Sequence, residues 1–167
     1  MPCKEAMIEK VISVGPDQTV GEALALFEKH KIRTVPVVDA NHKLLGLFSF
    51  NQLLEALLPI SFEEDTDGLR HFKVVEVSLD YLGDSAPWLA HRLNMVIGRK
   101  VCDFMKEDIH PVRPDTPLRE GIRLIVKHGS PLTVVDNGKL VGIITSQNVA
   151  KVVTDIATDM KKNSEEF

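Results

Sequence analysis

Apolar and small residues recur at helical spacing in two separated places. They are Val20, Ala23, Leu24 and Phe27, and then Leu118, Gly121, Ile122 and Ile125. Positions i, i+3, i+4 and i+7 fall on one side of a helix, so each set predicts a buried stripe. Thr19 followed by Glu22 predicts a capping box at the start of the first helix. The second start reads as a Thr116 cap with Pro117 in the first helical position, where a missing N–H costs nothing. Extended segments precede both helices, at Val11–Val14 and Ile109–Val112, and Pro16 and Pro114 break the chain between. After each helix come two short apolar runs joined by turn formers. The first pair is Val35-Pro36-Val37-Val38 and Leu44-Leu45-Gly46-Leu47-Phe48, around Asp39–Lys43. The second is Leu132–Val135 and Leu140–Ile144, around Asp136–Lys139. Closing helices follow, with Leu53, Leu54, Leu57 and Leu58 in one and Val149, Val152, Val153, Ile156, Ala157 and Met160 in the other.

The pattern is therefore an internal repeat. Met7 aligns with Met105, Pro16 with Pro114, Asp17 with Asp115, Glu22 with Glu120 and His30 with His128, at a constant offset of 98. The offset falls to 97 at Val38 against Val135 and to 96 at Gly46 against Gly142, as two one-residue loop deletions require. The fold class is α+β: two β-α-β-β-α units, neither large enough to bury a sufficient core alone. The first unit spans residues 1–59 and the second 99–160, with a frayed polar tail at 161–167. Between them lies an insert at 60–98, too long for a plain linker. Ser85-Ala86-Pro87-Trp88 reads as a helix start, giving a helix at about 85–97 that packs Leu89, Leu93 and Val96 inward.

Composition narrows the function classes. Hydrophobic residues are 44% and charged residues 26% of 167, a globular mixture with no apolar run long enough for a membrane span. Net charge is −4, and the insert carries all of it: seven acids (Glu63, Glu64, Asp65, Asp67, Glu76, Asp80, Asp84) against Arg70, Lys73 and Arg92. The remainder balances, which excludes a basic nucleic-acid surface. The acidic run Glu63–Asp67 reads as exposed and mobile. Asp65-Thr66-Asp67-Gly68 begins like a calcium loop but lacks its later ligands. Two cysteines, Cys3 and Cys102, make no disulfide framework or metal set. A charged N-terminus without a signal peptide points to a cytoplasmic protein.

With the repeat in view, "VPVVDANHKLLGLFS" and "LTVVDNGKLVGIIT" resemble the core of cystathionine-β-synthase (CBS) domains. So do the Met-ending entry turns and the "PDQTVGEAL" and "PDTPLREGI" helix starts. The chain is similar to a Bateman module, two CBS units packed as a pseudo-twofold pair. The resemblance implies homodimerisation and an adenosyl ligand in the cleft between units: AMP, ATP, S-adenosylmethionine or NADH, with no required cofactor. It implies ligand contacts at Val14, Val35, Pro36, Ser49 and Gln52 in the first copy. In the second they are Val112, Leu132, Thr133, Thr145, Ser146 and Asn148. The family's signature is Gly, two hydrophobics, Thr or Ser, then Asp three residues later. Both hydroxyls are present, Ser49 and Thr145. Both carboxylates are replaced, by Gln52 and Asn148. A helix N-terminus with a hydroxyl suits a phosphate, and a carboxylate suits a ribose diol. Asn148, closer to Asp in length, is the better ribose contact, with Ser146 an added hydroxyl; the weakness of this copy is Thr133, standing where the first copy has Pro36.

Other conspicuous residues have structural readings. Gly46 and Gly142 mark close backbone approach. His30 and His128 suit helix C-termini, and Arg33 and Arg113 read as solvated. No nucleophile–base set or phosphate loop emerges, so the chain reads as a regulator that is not an enzyme, acting on an unidentified partner protein. Alternatives are a ligand-free dimerisation scaffold and a divalent-cation sensor built on the acidic insert.

Overall fold

Thr19 starts the first helix as its pattern requires. Its hydroxyl accepts from the Glu22 N–H at 3.2 Å, and the Glu22 carboxylate accepts from the Thr19 N–H at 3.4 Å. Helix α1 then runs Val20–His30 and buries Val20, Ala23 and Phe27. Lys31 ends it in the left-handed conformation, donating its N–H to the Phe27 carbonyl. The computed structural model of the chain describes residues 1–58, 61–64, 70–73 and 86–165.

The remaining elements follow in order: β1 Thr34–Val38, β2 Leu44–Ser49, α2 Phe50–Leu57, β3 Ser61–Glu64, β4 Arg70–Lys73, α3 Ala86–Ile97, α4 Leu118–His128, β5 Leu132–Asp136, β6 Lys139–Ile144 and α5 Ser146–Glu165. Strands pair as three two-stranded sheets, β1-β2, β3-β4 and β5-β6. The extended segment that opens each repeat is reduced to one parallel bridge, Val14 to Val37 and Val112 to Val134. The insert contains an antiparallel β3–β4 hairpin, which its sequence did not predict. Its acidic residues Asp65 and Asp67 lie outside the described residues, as do Glu76, Asp80, Tyr81, Asp84 and Ser85.

Two elements depart from the pattern. Pro117, not Thr116, is the N-cap of α4. The Thr116 hydroxyl is already committed, accepting from the Arg113 N–H at 3.0 Å. On α4 the core takes Leu118 and Gly121, with Leu124 and Ile125 packed behind, whereas Ile122 is exposed. Ile122 lies one helical step to the other side of Leu118, and spacing alone does not choose between the two arcs. In α3, Val96 is buried and Leu93 half-buried, but Leu89 faces outward. This helix packs on α2 and α1. Arg92 donates to the Ala56 carbonyl at 2.9 Å, satisfying an acceptor near the end of α2.

The chain forms two compact units that interleave the sequence repeats. One is Met1–Ser13, Val38–Leu45 and Asp108–Phe167; the other is Val14–Val37 and Gly46–Glu107. In the first, the entry turn Cys3–Ala6 is held by Cys3 N–H to Thr116 O (2.8 Å) and Lys4 N–H to Pro114 O (3.0 Å). Cys3 and Ala6 join the core of Val112, Leu118, Leu132, Val134 and Ile144. Burial pushes the Cys3 thiol up, so it behaves as a small apolar filler. In the second, Val101 and Cys102 donate to Gln18 O (2.8 Å) and Pro16 O (3.1 Å). Both cysteines are free.

Each entry turn ends in a methionine laid on a strand glycine. Met105 covers Gly46, and Met7 covers Gly142. A Cβ at Gly46 would stand 2.7 Å from the Lys106 carbonyl oxygen. At Gly142 it would meet the Met7 side chain, with the Ile8 carbonyl 3.0 Å away. These contacts let Lys106 bridge to Leu47 and Ile8 to Ile143. Gly46→Ala and Gly142→Ala should each cost about 1–3 kcal/mol by overpacking. That lowers the melting midpoint by about 2–10 °C for a chain of this size. Gly98, with nothing within 4 Å of its Cβ position, is the control; Gly98→Ala should stay within about 0.5 kcal/mol. Calorimetric melts of the three variants check this ordering.

Candidate functional site

The candidate residues form one set in each compact unit. In the unit containing α1, Val14, Val35 and Pro36 are buried. The Val14 N–H donates to the Pro36 carbonyl at 3.0 Å. Strand β2 then delivers Ser49 to the start of α2. Gln52 folds back on it: its Oε1 accepts from the Ser49 N–H at 3.0 Å and lies against the Ser49 hydroxyl. The Phe50 N–H donates to the Arg33 carbonyl at 3.4 Å. The Gln52 oxygen is thus used in capping its own helix.

In the unit containing α4, Val112, Leu132 and Thr133 are buried. Val112 N–H donates to Thr133 O at 2.9 Å, and Val135 N–H donates to Val112 O at 2.8 Å, pinning the segment to β5. Strand β6 delivers Thr145 to the start of α5. The Thr145 hydroxyl oxygen accepts from the Asn148 N–H at 3.1 Å, and its proton goes to Asn148 Oδ1 at 3.2 Å. Ser146, exposed, donates its N–H to the Ser130 hydroxyl at 3.2 Å. Three of the first four N–H groups of α5 are thereby satisfied, since Val149 N–H reaches Thr145 O at 3.1 Å.

The structure therefore brings Thr145, Ser146 and Asn148 together at one helix start, and Ser49 and Gln52 at another. Other polar residues have separate occupations. Arg113 pairs with Asp115 at 3.1 Å on the surface, and Arg33 is exposed. His128, at the end of α4, stacks on His110 with ring centroids 3.7 Å apart. His110 Nε2 lies 3.3 Å from Asp108 Oδ1. Ser130 belongs to the second set and was not singled out from the sequence. Its only signal was alignment with Arg33, whose carbonyl serves the same helix-start N–H in the other copy.

The CBS domain family model matches residues 3–59 and 101–155. The chain belongs to that family and carries two CBS domains. It is 31% identical over 153 residues to the chloroplastic CBS domain-containing protein CBSX2 of Arabidopsis thaliana, covering 90% of this chain and 62% of the relative. Crystalline CBSX2, a CBS-pair protein, superposes with a TM-score of 0.71 at 26% identity, over 94% of this chain and 96% of that one. CBSX2 in complex with AMP gives 0.65 at 27% identity, over 93% and 98%. Tandem CBS repeats are thus the architecture. No helix among the described residues is long and apolar enough to cross a membrane.

Capping makes a direct prediction. Thr145→Ala removes the acceptor for the Asn148 N–H and should cost about 1 kcal/mol. That corresponds to a fall of about 2–4 °C in melting midpoint, with loss of amide protection confined to the first turn of α5 by hydrogen exchange.

Proposed function

We propose that this CBS pair is a non-catalytic regulator that binds an adenosyl small molecule and transmits the binding to a partner protein. The reading rests on the polar helix start at Thr145, Ser146 and Asn148, set in a family whose member CBSX2 takes AMP. The phosphate belongs at the α5 N-terminus, where the Gln147 N–H and the helix dipole favour an anion. The first copy, with its Gln52 amide turned onto Ser49, is the weaker of the two sites. Transmission requires differential affinity for two packings of the module, because a ligand shifts an equilibrium only by that difference.

Thermal melts with AMP, ATP, S-adenosylmethionine, NADH and magnesium test this directly. A ligand at one hundred times its Kd adds about 2.7 kcal/mol, which raises the midpoint by about 5–10 °C. No shift with any adenosyl compound would leave the ligand-free scaffold as the better account. A shift with magnesium alone would favour the cation sensor.

We infer also that the chain pairs with a second copy through α2 and α5. Val149 and Val152 pack on their own unit. Val153, Ile156 and Met160 do not, and Leu54 on α2 and Leu58 just after it are likewise exposed. An apolar stripe of that size is a liability in a monomer. Sedimentation equilibrium at micromolar concentration should return twice the 18.6 kDa of one chain. Val153→Glu with Ile156→Glu should return the single mass with both units still folded by circular dichroism.

A further inference from the structure

The two copies treat the same helical face differently. In the first copy, α3 packs against both α1 and α2. The Val20 N–H donates to the Arg99 carbonyl, just beyond α3, at 2.9 Å. A Cβ at Gly21 would stand 3.2 Å from Ile97 Cγ1 and 3.3 Å from the Ile97 carbonyl oxygen. Leu24 on α1 and Leu57 on α2 are half-buried. At the repeat offsets of 98 and 96, their counterparts are Ile122 on α4 and Val153 on α5. Both of these are exposed. Arg119 stands where the first copy has Gly21, and Val126 where it has Glu28. Glu28 is exposed and polar, whereas Val126 is apolar and 82% exposed. The second copy thus bears apolar residues on a helix pair that, in the first copy, carries a third helix.

Charge adds an independent observation. On α4, Ile122 and Val126 are one turn apart, and Arg119 and Arg123, also one turn apart, run beside them. On α5, Val153, Ile156 and Met160 form a stripe at spacings of three and four, edged by Asp155 and Asp159. Residues 153–164 of α5 are exposed throughout. Arg123 is held by Glu120 at 2.6 Å. Among the described residues, Arg119, Asp155 and Asp159 make no ion pair. One chain therefore presents an apolar stripe with a basic edge and an apolar stripe with an acidic edge, and joins neither to the other.

We propose that the exposed face of α4 is the docking surface for α5 of a second copy. Each α5 lies on the other chain's α4, with Arg119 facing Asp155 and Asp159 of the second copy. A twofold axis satisfies both halves of this contact at once, because a surface carrying both stripes is complementary to itself. The apolar stripes supply the affinity, and the charged edges fix register and orientation. The arriving helix takes the place that α3 holds in the first copy. This inference rests on the self-association through α5 given above and names the surface that α5 meets.

The test is sedimentation equilibrium of the full chain and its variants over a range of concentrations. Val126→Glu should raise the dimer dissociation constant at least about tenfold, since it places a charge in the apolar contact. Val126 is exposed in the single chain, so the fold should be kept, which circular dichroism checks. Arg119→Asp should weaken the dimer about tenfold by setting like charges together, and Asp155→Arg with Asp159→Arg should do the same. All three charge reversals in one chain should return the constant to within about threefold of wild type, because the pairing is restored with its signs exchanged. Losses that add in the combined variant, with no recovery, would overturn the pairing of α4 with α5. So would Val126→Glu and Arg119→Asp chains that dimerise like wild type while Val153→Glu with Ile156→Glu dissociates; self-association through α5 would then stand, on another surface. Wild type sedimenting as a single chain at micromolar concentration would remove both readings.

Discussion

A methionine side chain resting on a bare strand glycine is the contact from which each compact unit is assembled. Met105 on Gly46 and Met7 on Gly142 let an entry turn approach within backbone hydrogen-bonding distance of the hairpin of the other repeat. Lys106 then exchanges both hydrogen bonds with Leu47, at 2.7 and 3.0 Å, and Ile8 does the same with Ile143 at 2.8 and 3.1 Å. In each unit the bridge falls two residues before the hydroxyl that starts the closing helix, Ser49 or Thr145. The position of the polar helix start thus depends on the seating of the entry turn. A Cβ at either glycine would disturb the strand feeding the site. The linkage runs both ways, since anything that orders the helix start also favours the seated turn.

The same hydroxyls have two duties, and the duties compete. Ser49 and Thr145 stand at helix starts, where a cap contributes about 1 kcal/mol. A ligand hydrogen-bonded by those atoms would have to share them with the helix. Asn148 eases the conflict in the second copy, because Thr145 can accept from the backbone and donate to the amide at once. The amide nitrogen there makes no hydrogen bond among the described residues. A carboxylate at that position would keep a second oxygen free; an amide exchanges it for two donors.

Much of this architecture was legible from residue order. Thr19 and Glu22 announced their capping box, the apolar runs Val35–Val38 and Leu132–Val135 became β1 and β5, and Ala86 to Ile97 is helical where Ser-Ala-Pro-Trp marked a start. These features are local, decided by propensity and hydrogen bonds within a few residues. What failed was decided at longer range. Thr116 looked like a cap, but the Arg113 N–H claimed its hydroxyl. Ile122 and Leu89 had apolar chemistry at helical spacing, yet only packing settles which arc faces inward. The interleaving of entry turns was invisible because Met-to-Gly contacts across 59 and 135 residues have no periodicity. At the site, sequence identified Thr145, Ser146 and Asn148 through resemblance and counted Thr133 against the second copy. It could not show which amide oxygen was engaged, since that depends on side-chain rotation about a hydroxyl.

Divergence between the two copies is concentrated where function would separate them. Their cores remain parallel: Val14 and Val112 make the same bridge, and Phe48 and Ile144 fill the same strand position. Around that frame the two copies differ. In the first, Gln52 turns onto Ser49, Pro36 offers no hydroxyl, α2 stops at Leu57, and α3 packs against it. The second copy has Thr133 in place of Pro36 and extends α5 to Glu165, with Val153, Ile156 and Met160 exposed. The copies thus share a frame fixed by the entry-turn bridges and differ in the residues around their helix starts, Pro36 and Gln52 against Thr133 and Asn148.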